Sequence, residues 1–248
     1  MKTMLFLSYK QKKRLKLPAE KRTGLLVRLA APVLLAALLS VLGAGCALPL
    51  RGKDEKPRTA TFFAMDTVMD VTVCGGRETL TAEAEALIRR LEAELSVTDP
   101  ESDIYAVNEA GEGAVSRDAE ALIRGTLALC ARTEGTLDCT IYPVLRAWGF
   151  TAGAYRVPPE EEIASLLTLM DWRAVSLTDG RVTLGDGQML DLGATAKGYA
   201  GDCLIGLFRE AGCASAIVNL GGNVQTLGTK PDGSLWRVAV ARHDTVAE

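Results

Sequence analysis

The residues Asp191-Leu-Gly-Ala-Thr-Ala-Lys-Gly-Tyr-Ala-Gly-Asp202 combine an acid, several small residues and one lysine at the start of a helical pattern. A carboxylate (Asp191), a backbone carbonyl and an ammonium (Lys197) can face one ligand from this stretch. That mix suits a phosphorylated small molecule that carries a metal ion. The plain structural alternative is a strand-to-helix turn, with Asp191 capping and Lys197 solvated, because helix starts select such residues anyway. A second cluster, Asn219-Leu-Gly-Gly-Asn223, is either a nest of backbone N–H groups for an anion or a tight turn between strands. A third stretch, Asp138-Cys-Thr-Ile-Tyr-Pro143 followed by Trp148-Gly-Phe150, is either a packed turn or an apolar slot for a flat ring. The P-loop is excluded: in Gly193-Ala-Thr-Ala-Lys197-Gly198 the lysine precedes the second glycine, and that loop needs it after. No G-x-G-x-x-G follows a strand pattern either.

Charge narrows the partners. Residues 1–28 hold nine basic residues and one acid, Glu20, and residues 29–50 hold no charge at all. A basic run followed by an apolar run is the pattern of an export signal. It ends in Leu42-Gly-Ala-Gly-Cys46, which resembles a bacterial lipobox with its leucine one place too far from the cysteine. An uncleaved membrane-spanning anchor is the alternative, since about 20 apolar residues suffice to cross a bilayer. Of 28 basic and 31 acidic residues, 19 and 30 remain once residues 1–45 are removed, a net charge near −11. Nucleic acid and anionic membrane surfaces are therefore poor partners, and phosphate must be held by local donors or a metal ion. The cysteines after Cys46 (Cys74, Cys130, Cys139, Cys203, Cys213) lack C-x-x-C spacing and read as small buried hydrophobes. With His243 the single histidine, a Ser-His-Asp triad and a histidine-rich metal site are both disfavoured.

The elements that must carry these residues follow from periodicity. Residues 1–45 form the signal, 46–60 a tether and 61–248 the folded domain. Phe62–Met65 and Val68–Val73 have strand composition. Thr79–Leu95 repeats apolar residues at helical spacing. Ser96–Ser102 is a polar loop. Asp118–Thr133 is a second amphipathic helix, capped by Ser116 and stopped by Gly135. A third helix starts at Pro158-Pro159 with Glu160, Glu161 and Glu162 in its first turn. Ala174–Leu177 and Arg181–Leu184 flank Thr178-Asp179-Gly180 as a hairpin. Thr195–Glu210 is helical and Ala216–Asn219 a buried strand. Val224–Leu227 and Leu235–Val240 are predicted to pair around Pro231-Asp232-Gly233. Helices interspersed with hairpins indicate an α+β fold with mixed or antiparallel sheets.

Taken in order, these segments resemble one family, the ApbE-type FAD:protein FMN transferases. The resemblance runs from about Thr61 through Met65-Asp66-Thr67, Ser96–Ser102 leading to Asn108, and Gly135-Thr-Leu-Asp-Cys-Thr140. It continues through Pro143, Trp148-Gly149 and Asp191–Ala200 to Asn219-Leu-Gly-Gly222. It implies an ApbE-like fold, incomplete at the C-terminus, and transfer of FMN from FAD to a threonine of a membrane redox protein, with release of AMP and Mg²⁺ as cofactor. It implies further that Met65, Thr98 and Thr136-Leu137-Asp138 line the flavin nucleotide pocket. Asp191 and Lys197 would contact FAD, and the Ala194 carbonyl would be one Mg²⁺ ligand. No catalytic residue is assigned. Thr98 stands where some relatives carry a stacking tyrosine. The relatives' D-x-x-x-T pair, which completes the Mg²⁺ site, has no counterpart up to Glu248, so the expectation for this chain is FAD binding without measurable transfer. Two other functions share the same residues: a FAD pyrophosphatase releasing FMN and AMP, and a non-catalytic flavin-binding lipoprotein.

Export and lipidation place the chain, by expectation, on the outer face of the bacterial cytoplasmic membrane. Mass spectrometry of the mature N-terminus checks this. The expected species begins at a diacylated Cys46, since a single acyl chain gives only marginal membrane binding; an intact Met1 would indicate the uncleaved anchor.

Overall fold

The computed structural model describes residues 56–151 and 153–240. The export signal, Cys46 and His243 lie outside the described residues. Among the described residues no helix is long and apolar enough to cross a membrane.

The main sheet has four strands: β1 (Arg58–Ala64), β2 (Thr67–Cys74), β6 (Ser215–Leu220) and β7 (Asn223–Leu227), side by side in the order β1-β2-β6-β7. Every neighbouring pair is antiparallel. Alternation decides which face is buried. Met69, Val71 and Val73 of β2, with Ala216, Val218 and Leu220 of β6, point inward and are buried. The opposite face carries Thr59, Thr61, Phe63, Val68 and Asp70, with Phe63 and Val68 exposed.

Two long helices take part in this core. α1 (Leu80–Leu95) buries Leu80, Ala84, Ile88, Leu91 and Leu95, one stripe at spacings of three and four. α6 (Gly193–Glu210) buries Ala200, Leu204, Ile205 and Phe208. α3 (Arg117–Arg132) contributes Ala119, Leu122, Ile123 and Cys130. It is tied to α6 by the hydroxyls of Thr126 and Thr195, 2.8 Å apart, and by Tyr199, whose hydroxyl donates to Asp118 at 2.6 Å. Arg90 of α1 meets the same Asp118 at 2.6 Å, so the three helices share one carboxylate. A second sheet of three short strands, β3 (Glu112–Ala114), β5 (Arg181–Thr183) and β4 (Ser176–Thr178), is likewise antiparallel. The α+β architecture with antiparallel sheets and packed helices is as the sequence indicates.

Local chemistry explains most boundaries. The Ser116 hydroxyl accepts from the Ala119 N–H at 3.2 Å and starts α3. Gly135, at φ 83°, ends the reversal after α3, its N–H donating to the Cys130 carbonyl at 2.9 Å. Asp179-Gly180, both at positive φ, form the two-residue turn between β4 and β5.

Several expectations need correction. Met65 is not in a strand: Ala64 pairs with Thr67, and Met65-Asp66 form the two-residue turn between them, both at positive φ. The first strand starts at Arg58, inside the segment read as tether. Two short helices went unread, α2 (Asp103–Ala110) and α4 (Tyr142–Trp148); each is too short for a periodic pattern to develop. The helix α5 (Glu160–Leu167) follows Pro158-Pro159 as predicted but buries none of its residues. Leu235–Val240 does not pair with Val224–Leu227. β7 pairs instead with β6 through the turn at Gly221-Gly222, because two glycines at φ 62° and 94° permit a direct reversal. Leu235, Val238 and Val240 are left exposed and without strand structure.

That turn makes a test of the packing. A Cβ on Gly221 would stand 2.5 Å from the Thr67 hydroxyl, whereas one on Gly222 would meet nothing within 4 Å. Gly222→Ala should cost about 1–2 kcal/mol for its left-handed backbone alone. Gly221→Ala should cost roughly 1–3 kcal/mol more, for overpacking against the β1–β2 turn. Urea denaturation of the two variants measures the difference.

Candidate functional site

Antiparallel order brings the candidate residues to one end of the main sheet. β2 runs away from the Met65-Asp66 turn and α1 returns towards it: the Met65 N–H donates to Glu92, in the last turn of α1, at 2.6 Å. The loop after α1 therefore delivers Thr98 to this end. α6 leads through a tight turn at Gly212 into β6, so its first turn is directed towards the Leu220 end of the sheet, the end at which Gly221 approaches Thr67.

Three loops are joined here by hydrogen bonds. The Asp191 N–H donates to the Cys139 carbonyl at 2.8 Å, and Ile141 bridges Met189 in parallel. The buried Asn108 amide donates to the Leu190 carbonyl at 2.9 Å and accepts from its N–H at 2.6 Å. The Tyr142 hydroxyl donates to the Val97 carbonyl at 2.9 Å, next to Thr98. Thr98, Thr136–Asp138 and Asp191 therefore sit on three loops bonded into one body.

Each candidate has its own setting. Met65 is half-buried at φ 47°, a conformation that costs a non-glycine residue free energy, and Glu92 holds it there. Thr98 is exposed, on an N–H that donates to Ser96 Oγ. It opens onto a cleft of about 210 Å³ between α2 and α4, lined also by Val97, Tyr105, Asn108, Glu109, Tyr142 and Arg146. Those two tyrosines stand where Thr98 itself offers no ring. Thr136 is exposed and Leu137 packs on the core. Asp138 is largely occupied by its own loop. One carboxylate oxygen accepts from the Thr140 N–H (2.8 Å) and hydroxyl (2.6 Å), and the other from the Trp172 N–H at 3.2 Å. Beside this loop, next to Gly135, the buried Trp172 Nε1–H has no acceptor within the protein. The Cys139 thiol is pushed far up by burial and by its neighbour Cys130, which keeps it protonated, in accord with a packing role.

Asp191 and Lys197 flank the start of α6. The Asp191 carboxylate accepts from the Gly193 N–H at 2.9 Å, a local turn just before the helix; the cap position itself is Leu192, with no side-chain cap bond. Asp191 is nonetheless held above the ordinary aspartate range: burial raises it, and the Gly193 N–H and the Lys197 charge only partly offset that. Lys197 is half-buried and belongs to none of the ion pairs among the described residues. A helix N-terminus, its dipole and an uncommitted ammonium together form a setting for phosphate oxygens. Ala194 is exposed in the first turn of the same helix, its carbonyl directed along the axis. Asn219-Leu-Gly-Gly-Asn223 is the tight turn, not an open nest: Asn219 Oδ1 already accepts from the Gly222 N–H at 2.8 Å. Among the described residues no three His, Cys, Asp or Glu side chains cluster as a metal site. Asp202 is exposed further along α6 and does not add to Asp191.

A model of the ApbE family matches residues 65–248, which include all of these loops. The chain belongs to the ApbE family. A FAD:protein FMN transferase of Vibrio cholerae is 25% identical over 217 residues, covering 85% of this chain and 64% of that protein. One from Klebsiella pneumoniae is 32% identical over 157 residues, covering 61% and 50%. The crystal structure of the Pseudomonas stutzeri flavinyl transferase ApbE, apo form, superposes with a TM-score of 0.70 at 29% identity, over 75% of this chain and 62% of that one. The ApbE protein of Thermotoga maritima gives 0.68 at 28% identity, over 72% and 61%. This ApbE chain thus spans less than two thirds of the length of these relatives. Tyr142 lies in the Asp138–Pro143 stretch read from the sequence as a packed turn or a slot for a flat ring, whereas nothing in the local pattern of Glu92, Tyr105, Arg146 or Trp172 separates them from helix-surface or core residues.

The setting of Asp191 predicts a pH signature. Its folded pKa lies above the unfolded value, so the folded state holds the proton more readily. Stability from this group is fully present below the unfolded pKa and lost as pH rises through the folded one. Asp191→Asn removes the buried charge. It should therefore be more stable than the parent at pH 7–8, with the gain shrinking towards the ordinary aspartate range near about 3.9. Urea denaturation across pH checks this; a gain that grew on acidification would contradict it.

Proposed function

We propose that this chain is the FAD-binding part of a FAD:protein FMN transferase, acting in transfer of FMN from FAD to a threonine of a membrane redox subunit with release of AMP. The observation that carries the reading is the gathering of Met65, Thr98, Thr136–Asp138, Asp191 and Lys197, scattered over more than half the chain, at one end of one sheet. Membership of the family and the names of the relatives support it.

In this reading the pyrophosphate of FAD lies at the first turn of α6, with Lys197 offsetting its charge. The flavin ring takes the other side, towards Met65 and the cleft that Tyr105 and Tyr142 line together with Asn108, Glu109 and Arg146. Threonine attack on the FMN phosphorus, with AMP leaving, needs positioning and charge stabilisation more than covalent help from the protein. Mg²⁺ is the usual neutraliser in such chemistry, and the resemblance makes it the proposed cofactor. The Ala194 carbonyl is the one ligand assigned to it among the described residues, against an ion that takes six oxygens. The proposed setting is a lipid anchor at Cys46 on the outer face of the membrane.

Fluorescence titration of the full chain in detergent with FAD tests the reading. Saturable binding is expected, weakened about tenfold or more by Asp191→Ala or Lys197→Ala, the scale of one charge-assisted contact. It should respond little to Mg²⁺ while the metal ligands are incomplete. Binding indifferent to both substitutions would refute the assigned pocket. Adding a threonine-bearing acceptor protein separates a transferase from a FAD pyrophosphatase.

A further inference from the structure

We propose that Asn108 is a positioning residue for the FAD site, acting through the backbone of Leu190 to fix Asp191 and the first turn of α6. The inference rests on the reading of this end of the sheet as the FAD site. It concerns how that site is held together.

The segment Met189–Asp191 behaves as a strand with only one neighbour. On one side it meets residues 139–141, through the Asp191 N–H on the Cys139 carbonyl and the Met189–Ile141 bridge. On the other side no strand is present among the described residues. There the Asn108 side chain closes both groups of Leu190, accepting its N–H at 2.6 Å and donating to its carbonyl at 2.9 Å. A primary amide offers a donor and an acceptor in one plane, as a peptide does, so Asn108 stands in for the missing strand. Leu190 is wholly buried and Asn108 nearly so, with only its edge on the Thr98 cleft, so water has little access to replace either bond.

Asn108 is itself rigid. It lies on α2, whose first turn is capped by the Ser102 hydroxyl at the Tyr105 N–H and held to Ser116 by Asp103 at 2.6 Å. The clamped residue is the one before Asp191. Two residues further on, the Leu192 carbonyl accepts from the Thr195 and Ala196 N–H groups at 2.9 and 2.8 Å, opening α6. A shift at Leu190 therefore moves the carboxylate and the helix start together. Other side chains do not reproduce the clamp. Aspartate keeps the shape but has no donor and sets a carboxylate against a carbonyl; glutamine keeps the donor and acceptor but is one methylene too long.

The test pairs local hydrogen exchange with FAD titration on the full chain, comparing Asn108→Asp with Val73→Ala, a buried change at the far end of β2. With Asn108→Asp, amide exchange over residues 189–196 should rise about tenfold, the equivalent of one lost hydrogen bond. The β1–β2 amides should keep their protection, and the Kd for FAD should rise about tenfold. Val73→Ala should lower the melting temperature without either local effect. Unchanged exchange at residues 189–196 would overturn the proposal. So would faster exchange with FAD affinity equal to that of Val73→Ala, since Asn108 would then serve stability alone. A parent chain that binds no FAD would overturn the site reading and this role with it. That outcome is distinct from a parent and an Asn108→Asp variant that bind equally.

Discussion

Both edges of the short segment before α6 must be hydrogen-bonded, because it runs through the interior between α2 and the loop after α3. A buried backbone N–H or carbonyl without a partner costs as much as a lost hydrogen bond. The segment meets this demand with one peptide edge, at Cys139, and one side chain, at Asn108. Much of the candidate site depends on that arrangement. The direction of Asp191, the start of α6 and the place of the Thr136–Asp138 loop are all set by which groups close these bonds. The Asn108 bonds join residues 82 positions apart and the Cys139 bond joins a third segment, so the site exists only when α2, the post-α3 loop and α6 are docked.

Around this junction the chain accepts local costs that packing elsewhere must offset. Met65 and Asp66 form a two-residue reversal at positive φ without glycine, and a carboxylate from α1 is committed to the Met65 N–H. Asp191 is a half-buried acid whose desolvation is not cancelled by the Gly193 N–H or the Lys197 charge. Trp172 keeps a buried indole N–H without an acceptor within the protein. Such features are uncommon in a structure optimised for stability alone and gather where a ligand completes the interactions. The opposite end of the sheet buries Val73, Leu80, Phe208 and Ala216 fully, and it too holds buried polar atoms without a partner, Arg58 Nε and Ser215 Oγ.

The charge distribution agrees with a small-molecule site. The three-helix junction at Asp118 consumes Arg90 and the Tyr199 hydroxyl, and burial of that carboxylate is outweighed by those two donors, which hold its pKa below the usual range. The other arginine pairs are surface contacts between near neighbours or cross-strand partners, of small energetic weight. Lys197 remains outside all of them, beside the helix N-terminus where anionic oxygens are favoured.

The sequence by itself determined the elements whose signals are local. α1, α3 and the body of α6 follow from apolar spacing, the Asp179-Gly180 hairpin from its turn residues, and the cap at Ser116 from its type. It determined the family too, since ordered motifs survive without knowledge of where they meet. Where it failed, the missing information was non-local. α2 and α4 are too short to carry a period, so only docking reveals them. Leu235–Val240 has strand composition, yet a strand needs a partner edge, and composition cannot say that β6 takes β7. Glycine pairs at residues 221–222 were ambiguous between an anion nest and a turn until Asn219 was seen to spend its side chain on Gly222. Asp191 and Lys197 were legible as candidates from residue type. That Asp191 is desolvated, that Asn108 clamps the residue before it, and that Glu92 holds Met65 were decided by tertiary structure alone, because each depends on groups brought together from distant parts of the chain.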